Sequence, residues 1–172
     1  MAPEKLPIPP PFEKIMQRHE REIMRYLLRV SSNGADAADL FQETWLRAYR
    51  AYPRLQPMRD VRPWLYAIAV NLCRNRARDG ARRRRVIVAS AEKNPPAHGN
   101  FEGHREFSEN AGYATVRLRE LIASLPPKQR AALQLRCFAG LDFTQIAAAM
   151  DCSEQSARAN LSQAMRKIKS MW

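Results

Sequence analysis

Apolar residues recur along this chain every three or four positions, in stretches bracketed by proline or glycine. That rhythm suits helices and little else. In FEKIMQRHEREIMRYLLRV, residues 12 to 30, the positions Phe12, Ile15, Met16, Ile23, Met24, Leu27 and Leu28 keep the spacing. SSNGAD breaks it, and Asp36 or a neighbour can cap a second helix. This helix is expected to reach about Tyr52, where Pro53 ends it, with Phe41, Trp45, Ala48, Tyr49 and Tyr52 as its buried stripe. PRLQPMRDVRP follows as a loop, and a third helix starts near Pro63 and runs into a block of arginines. No rich run of alternating apolar and polar residues stands out. VIVAS, residues 86 to 90, could form a short strand, but nothing offers to pair with it.

Residues 86 to 112 lose the periodicity and mix Pro-Pro, Gly and both charges, which reads as a linker. The helical pattern resumes at Tyr113 with Val116, Leu118, Leu121, Ile122 and Leu125, and stops at Pro-Pro. A helix from Pro127 carries Ala131, Leu133, Leu135 and Phe138, and Gly140 closes it. Then come DFTQIAAAM, a three-residue turn DCS, and EQSARANLSQAMRKIKSMW. Two helices joined so tightly, the second rich in bases and amides, form a helix-turn-helix signature. Ile146, Ala147, Met150, Ala157 and Leu161 would be its internal core. The expected fold is all-α: a tail over 1–11, a helical domain over 12–85, a flexible linker over 86–112, and a helix-turn-helix domain over 113–172.

Charge narrows the class of partner. Twenty-nine Lys and Arg against 17 Asp and Glu leave +12, which favours polyanions. Nucleic acid is preferred over a membrane, because no apolar run approaches 18 residues. MAPEKLPIPPPF has no apolar core of a signal peptide, so a cytoplasmic location is expected. Cys73, Cys137 and Cys152 lie far apart, as do His19, His98 and His104. The cysteines read as small buried hydrophobes in a reducing compartment. No catalytic or metal constellation is present in the sequence, so neither an enzyme nor a cofactor is expected.

Two surfaces carry more specific chemistry. In NLCRNRARDGARRRR, residues 71 to 85, seven of fifteen residues are arginine. On a helix Leu65, Ile68 and Leu72 share one side, while Asn71, Arg74, Asn75 and Arg78 share an adjoining one, with Trp64 on the same stripe. Amides can bond base edges, arginines hold phosphates, and an aromatic ring can stack on an unpaired base. Trp64 fits core packing as well as base contact. ARRRR adds salt-sensitive phosphate attraction. On the second helix Asp36, Asp39 and Glu43, with Gln42 beside them, form an acidic ridge on a basic chain. Such a ridge suits a basic protein partner, although acids at a helix start also complement the macrodipole. In the helix-turn-helix Gln155, Ser156, Arg158, Ala159, Ser162 and Gln163 face outward, and Arg166, Lys167 and Lys169 extend the positive side.

DAADLFQETWLRAYRAYPRL followed by RPWLYAIAVNLCRNRAR resembles region 2 of bacterial sigma factors. LRELIASLPPKQRAALQLRCFAGLDFTQIAAAMDCSEQSARANLSQAMRKI resembles region 4. The order, the linker and the absence of further domains resemble the extracytoplasmic-function group. The resemblance implies that Asp36, Asp39, Gln42 and Glu43 bind the β′ clamp helices of core RNA polymerase, with the β flap as a second contact. It implies that Trp64, Asn71, Arg74, Asn75 and Arg78 recognise and melt a −10 element. The loop from Leu55 to Arg62, with Gln56, Met58 and Arg59, would capture a flipped base, repaying an unpairing cost of a few kcal/mol. It further implies that Arg136, Phe143, Thr144, Gln155, Ser156, Arg158, Ala159, Ser162, Gln163 and Arg166 grip a −35 element. The linker would thread the polymerase towards its active site.

An anti-sigma factor, in this family frequently membrane-anchored, is a further implied partner. The chain departs from the family at SEQSARAN, where Ser153, Gln155, Ala159 and Asn160 replace a common Pro, Gly, Ser and Arg. Two other readings compete: a stand-alone helix-turn-helix regulator of the LuxR type, which leaves the acidic ridge unused, and a non-specific nucleic-acid binder working through its arginines.

Overall fold

The structure, a computed structural model, describes residues 10–31, 33–55, 60–90 and 113–171, with the backbone alone at 81, 83–90 and 113–116. Its helices are α1 (Phe12–Val30), α2 (Gly34–Ala51), α3 (Arg62–Ser90), α4 (Tyr113–Ser124), α5 (Pro127–Cys137), α6 (Phe143–Met150) and α7 (Glu154–Met171), with a 3-10 turn at Tyr52–Arg54. The described residues contain no strand. The all-α expectation holds. α3 departs from it in length, because residues 86–90 continue the helix rather than opening a linker or a strand. The expected tail residues 1–9 and linker residues 91–112 lie outside the described residues.

Local chemistry sets the ends of the helices. The Asn33 side chain accepts from the Asp36 N–H at 2.7 Å and caps α2. The Asp142 carboxylate accepts from the Gln145 N–H while the Gln145 side chain accepts from the Asp142 N–H, a reciprocal box that starts α6. After α5, Gly140 takes φ 66°, and the Leu141 N–H reaches back to the Leu135 carbonyl at 3.2 Å. Asp151 takes the left-handed conformation after α6, with the Cys152 N–H on the Ala147 carbonyl. That single left-handed residue makes the turn between α6 and α7 tight.

α1, α2 and α3 pack around one core, in which the buried rings of Tyr26 and Tyr66 meet edge to face at 5.2 Å. Burial pushes the Tyr66 hydroxyl up to about 12. Thr44 is fully buried but satisfied, its hydroxyl donating to the Leu40 carbonyl at 2.6 Å. The expected stripe of α2 holds at Trp45 and Ala48, with Ala37 and Leu40 beside them. Tyr49 is a correction: it stays 59% exposed, meeting the Phe12 ring edge to face at 5.4 Å between centres. α4 meets α7 at a small cluster of Leu125, Leu133 and Ala164, against which Ile122 of α4 packs.

The two helical units share a face. α3 lies against α6, and the apolar core runs continuously from Tyr66, Ala69 and Val70 to Ile146 and Ala147. Polar contacts pin the rim. Arg62 pairs with Glu22 at 2.8 Å and donates to the Ala139 carbonyl at 2.6 Å. Arg29 donates to the Phe138 carbonyl and sits over the Phe138 ring. Both arginines thus meet carbonyls at the C-terminal end of α5, where the helix dipole favours cations. The Gln145 amide donates to Asp60 at 2.7 Å.

Glu22 is partly buried, which raises its pKa. Hydrogen bonds from His19 and Arg62, together with the charge of Arg62, outweigh that and hold the carboxyl below its ordinary 4.5. A lowered carboxylate contributes stability above its unfolded pKa and loses it as pH falls through the folded one. In urea melts from pH 7 to pH 3, the stability difference between the parent chain and Glu22→Gln should be largest above the ordinary carboxylate range and shrink below it. A difference that stays constant with pH would contradict this. Arg62→Ala strips the Ala139 carbonyl of its donor. It should cost about 1–3 kcal/mol of stability and raise the radius of gyration measured by small-angle X-ray scattering.

Candidate nucleic-acid and polymerase interfaces

The acidic ridge lies along the exposed side of α2. Asp39 and Gln42 are exposed, and Asp36 and Glu43 are partly buried. The structure gives the ridge internal cations that the sequence does not announce. One nitrogen of the Arg76 guanidinium, from α3, lies 2.7 Å from an Asp36 oxygen and 3.2 Å from an Asp39 oxygen. Arg47 pairs with Glu43 at 2.7 Å, one helical turn on. The pairing of Arg76 spans 37 residues to Asp39 and more to Asp36, so no local spacing rule could find it.

α3 presents the amide and arginine face to solvent. Asn71, Arg74, Asn75 and Arg78 are all exposed, while Leu65 and Leu72 are buried and Ile68 partly so. Trp64 is half-buried and packs against the core, which favours the packing reading of that residue. Leu55 is half-buried. Gln56, Met58 and Arg59 lie outside the described residues. Asp60, at the far end of that loop, accepts from the Arg62 N–H and holds the start of α3.

The helix-turn-helix brings one group of its candidates together. The guanidiniums of Arg136 and Arg158, both exposed, lie over the Phe143 ring at 5.5 and 4.2 Å from its centre, so one aromatic plate serves two cations. Arg136 also donates to the Leu141 carbonyl. Glu154 ties the arrangement together by accepting from the Thr144 hydroxyl at 2.6 Å and pairing with Arg158 at 3.5 Å. Gln155, Ala159, Ser162 and Arg166 are exposed along α7. The Gln163 amide oxygen accepts from Gln129 across to α5. The expected core is in place, with Ile146, Ala147 and Ala157 buried and Met150 and Leu161 half-buried.

Ser156 is placed differently from its neighbours. It lines a crevice of about 150 Å³ with Val70, Arg74, Lys128, Asp151 and Asn160, between α3 and the helix-turn-helix. A residue expected at a −10 element and one expected at a −35 element therefore border the same small space. Asn160 donates to the Ser156 carbonyl within its own helix.

The cysteines only partly meet expectation. Cys73 and Cys152 are half-buried, and burial pushes the Cys73 thiol up to about 12, but Cys137 is exposed. The described residues contain no group of three or more His, Cys, Asp or Glu able to hold a metal. No described helix is long and apolar enough to cross a membrane.

Comparison with known proteins agrees with this arrangement. Residues 15–83 match the family described as Sigma-70 region 2, and residues 115–168 match Sigma-70, region 4. The chain is 29% identical over 171 residues to the ECF RNA polymerase sigma-E factor of Salmonella typhimurium, covering 91% of this chain and 84% of that one. It is 27% identical to the RNA polymerase sigma-H factor of Pseudomonas aeruginosa, covering 91% and 83%. Among solved structures, CnrH in complex with the cytosolic domain of CnrY superposes with a TM-score of 0.65 at 18% identity, covering 93% of this chain and 86% of that one. The sigma factor RpoE of Bartonella quintana, solved with the anti-sigma factor NepR, gives 0.62 at 19% identity, covering 92% and 94%. Two matched regions in the family's order, on a fold that its solved members share, place the chain in the extracytoplasmic-function group of the sigma-70 family of RNA polymerase sigma factors.

Proposed function

We propose that this sigma factor binds core RNA polymerase through the acidic ridge of α2 and opens a −10 element with the exposed face of α3. A −35 element would be held by the arginine plate of the helix-turn-helix. The observation that carries this reading is the division of surfaces on one unit. Carboxylates line α2 while Asn71, Arg74, Asn75 and Arg78 stand exposed on α3, so a basic protein and a nucleic acid can be held at once. The chain contributes binding and positioning, and the polymerase supplies the chemistry. A stand-alone regulator of the LuxR type would use α4 to α7 only and leave residues 15–83, a matched sigma region, without a role.

Holding both promoter elements requires movement. Arg74 and Ser156 share one crevice in this arrangement, and two separate DNA segments cannot both reach it. The α3–α6 face must open when the factor takes up polymerase and promoter. Exposed Met165 and half-buried Ile168 on α7 offer the helix-turn-helix unit a second contact with polymerase. An anti-sigma factor, such as the NepR bound to the Bartonella factor, would act by holding the units together or by covering these surfaces. Tethering to a membrane would then come from that partner.

Reversing the ridge with Asp39→Arg plus Glu43→Arg sets like charges against a basic partner. Core polymerase affinity should fall at least about a hundredfold, measured by pull-down and titration. Retained affinity would remove the ridge from the interface. Asn71→Ala plus Asn75→Ala should slow −10 opening, read by permanganate reactivity, by about tenfold or more. General duplex affinity should change little. Equal losses in both would favour non-specific binding through the arginines.

A further inference from the structure

The acidic ridge is already occupied by a residue of the same chain. A single Arg76 nitrogen bridges Asp36 and Asp39 at 2.7 and 3.2 Å, while Arg47 holds Glu43 at 2.7 Å. Two carboxylates one helical turn apart present their oxygens to one guanidinium, which is the chemistry a cationic partner would use. We propose that Arg76 is a built-in competitor for the polymerase-binding ridge, displaced when core polymerase docks. This rests on the reading that the ridge of α2 meets polymerase.

Two observations support displacement rather than a fixed structural bridge. Arg76 is 44% exposed and Asp39 67%, so water and salt screen that contact, while Asp36, at 28%, is the more sheltered acceptor. Arg76 reaches the ridge from a neighbouring helix, so its removal leaves the caps and apolar contacts of α2 untouched. Asn33 still caps the helix, and Ala37, Leu40, Thr44, Trp45 and Ala48 remain its buried contacts.

Competition also solves a problem of composition. The chain carries seven arginines between residues 71 and 85 beside an acidic ridge, at a net +12. Without an internal cation, the ridge of one copy would attract the arginine block of another. An intramolecular guanidinium acts at high effective concentration and outcompetes such single contacts. A partner that brings several cations and apolar contacts together can still displace it. Arg76 thus sets a threshold for who may bind, which is specificity by competition rather than by added contacts.

The test is equilibrium binding of the full chain to core RNA polymerase at low and at high salt, for Arg76→Ala and Arg76→Gln beside the parent. Removing a competitor should tighten binding by about two- to fivefold at low salt, with no gain at high salt. Arg76→Lys should bind like the parent. Melting temperatures are recorded alongside. If Arg76→Ala folds poorly, Arg76→Gln, which keeps the length of the stem, decides. Unchanged or weaker affinity in a folded neutral variant overturns the proposal. The Asp39→Arg plus Glu43→Arg variant separates the two levels. If it binds normally, the ridge reading fails and the competitor with it. If it loses binding while the neutral variants match the parent, only the competitor fails.

Discussion

Helix α3 has to satisfy neighbours on two sides at once. One side packs against α1 and α2, another against α6, and the apolar cluster passes through it without a break. What remains of its circumference is the face bearing Asn71, Arg74, Asn75 and Arg78. Everything else is arranged around that division. α2 is free to turn carboxylates outward because α3 covers its inner side. The helix-turn-helix rests on α3 through small residues, Ala147 among them, that permit close approach.

The same division explains which parts of the fold were legible in the sequence. Helices that bury one stripe, such as α1, announce themselves by period, and Gly140, Pro53 and the DCS turn mark ends where the backbone demands them. α3 buries more than one side, so its apolar residues spread around the helix and its amphipathic signal is faint. Beyond the arginine block its last turns carry VIVAS, a composition that reads as linker or strand, yet the helix continues to Ser90. Tyr49 matched the period of α2 but falls where the neighbouring helices no longer cover it.

The candidate sites were legible as residue types and spacings, because exposed helix faces follow directly from period. Their internal wiring was not. Arg62 to Ala139 spans 77 residues and Gln145 to Asp60 spans 85, and side-chain contacts across such separations leave no periodic trace. The Phe143 plate was a near case. Arg136, Phe143 and Arg158 were each singled out, but only the fold shows one ring under two guanidiniums. That plate and the Glu154 bridge hold charged side chains in place before any ligand arrives, which reduces the ordering cost of binding.

The Arg62 contact has a thermodynamic consequence. When α3 and α6 part, Arg62 keeps its ion pair with Glu22, and the Ala139 carbonyl exchanges one donor for water. Such an opening would strand no buried charge, and its cost would rest mainly on the apolar face, with the Gln145–Asp60 and Arg29–Phe138 contacts added. On the proposed opening, the chain would behave as a two-state reservoir. A ligand that needs the units apart finds its apparent affinity scaled by the open fraction, whereas one that spans them in the closed form draws the population towards itself. Small changes at that seam are thereby read out as changes in occupancy at surfaces that the seam never touches.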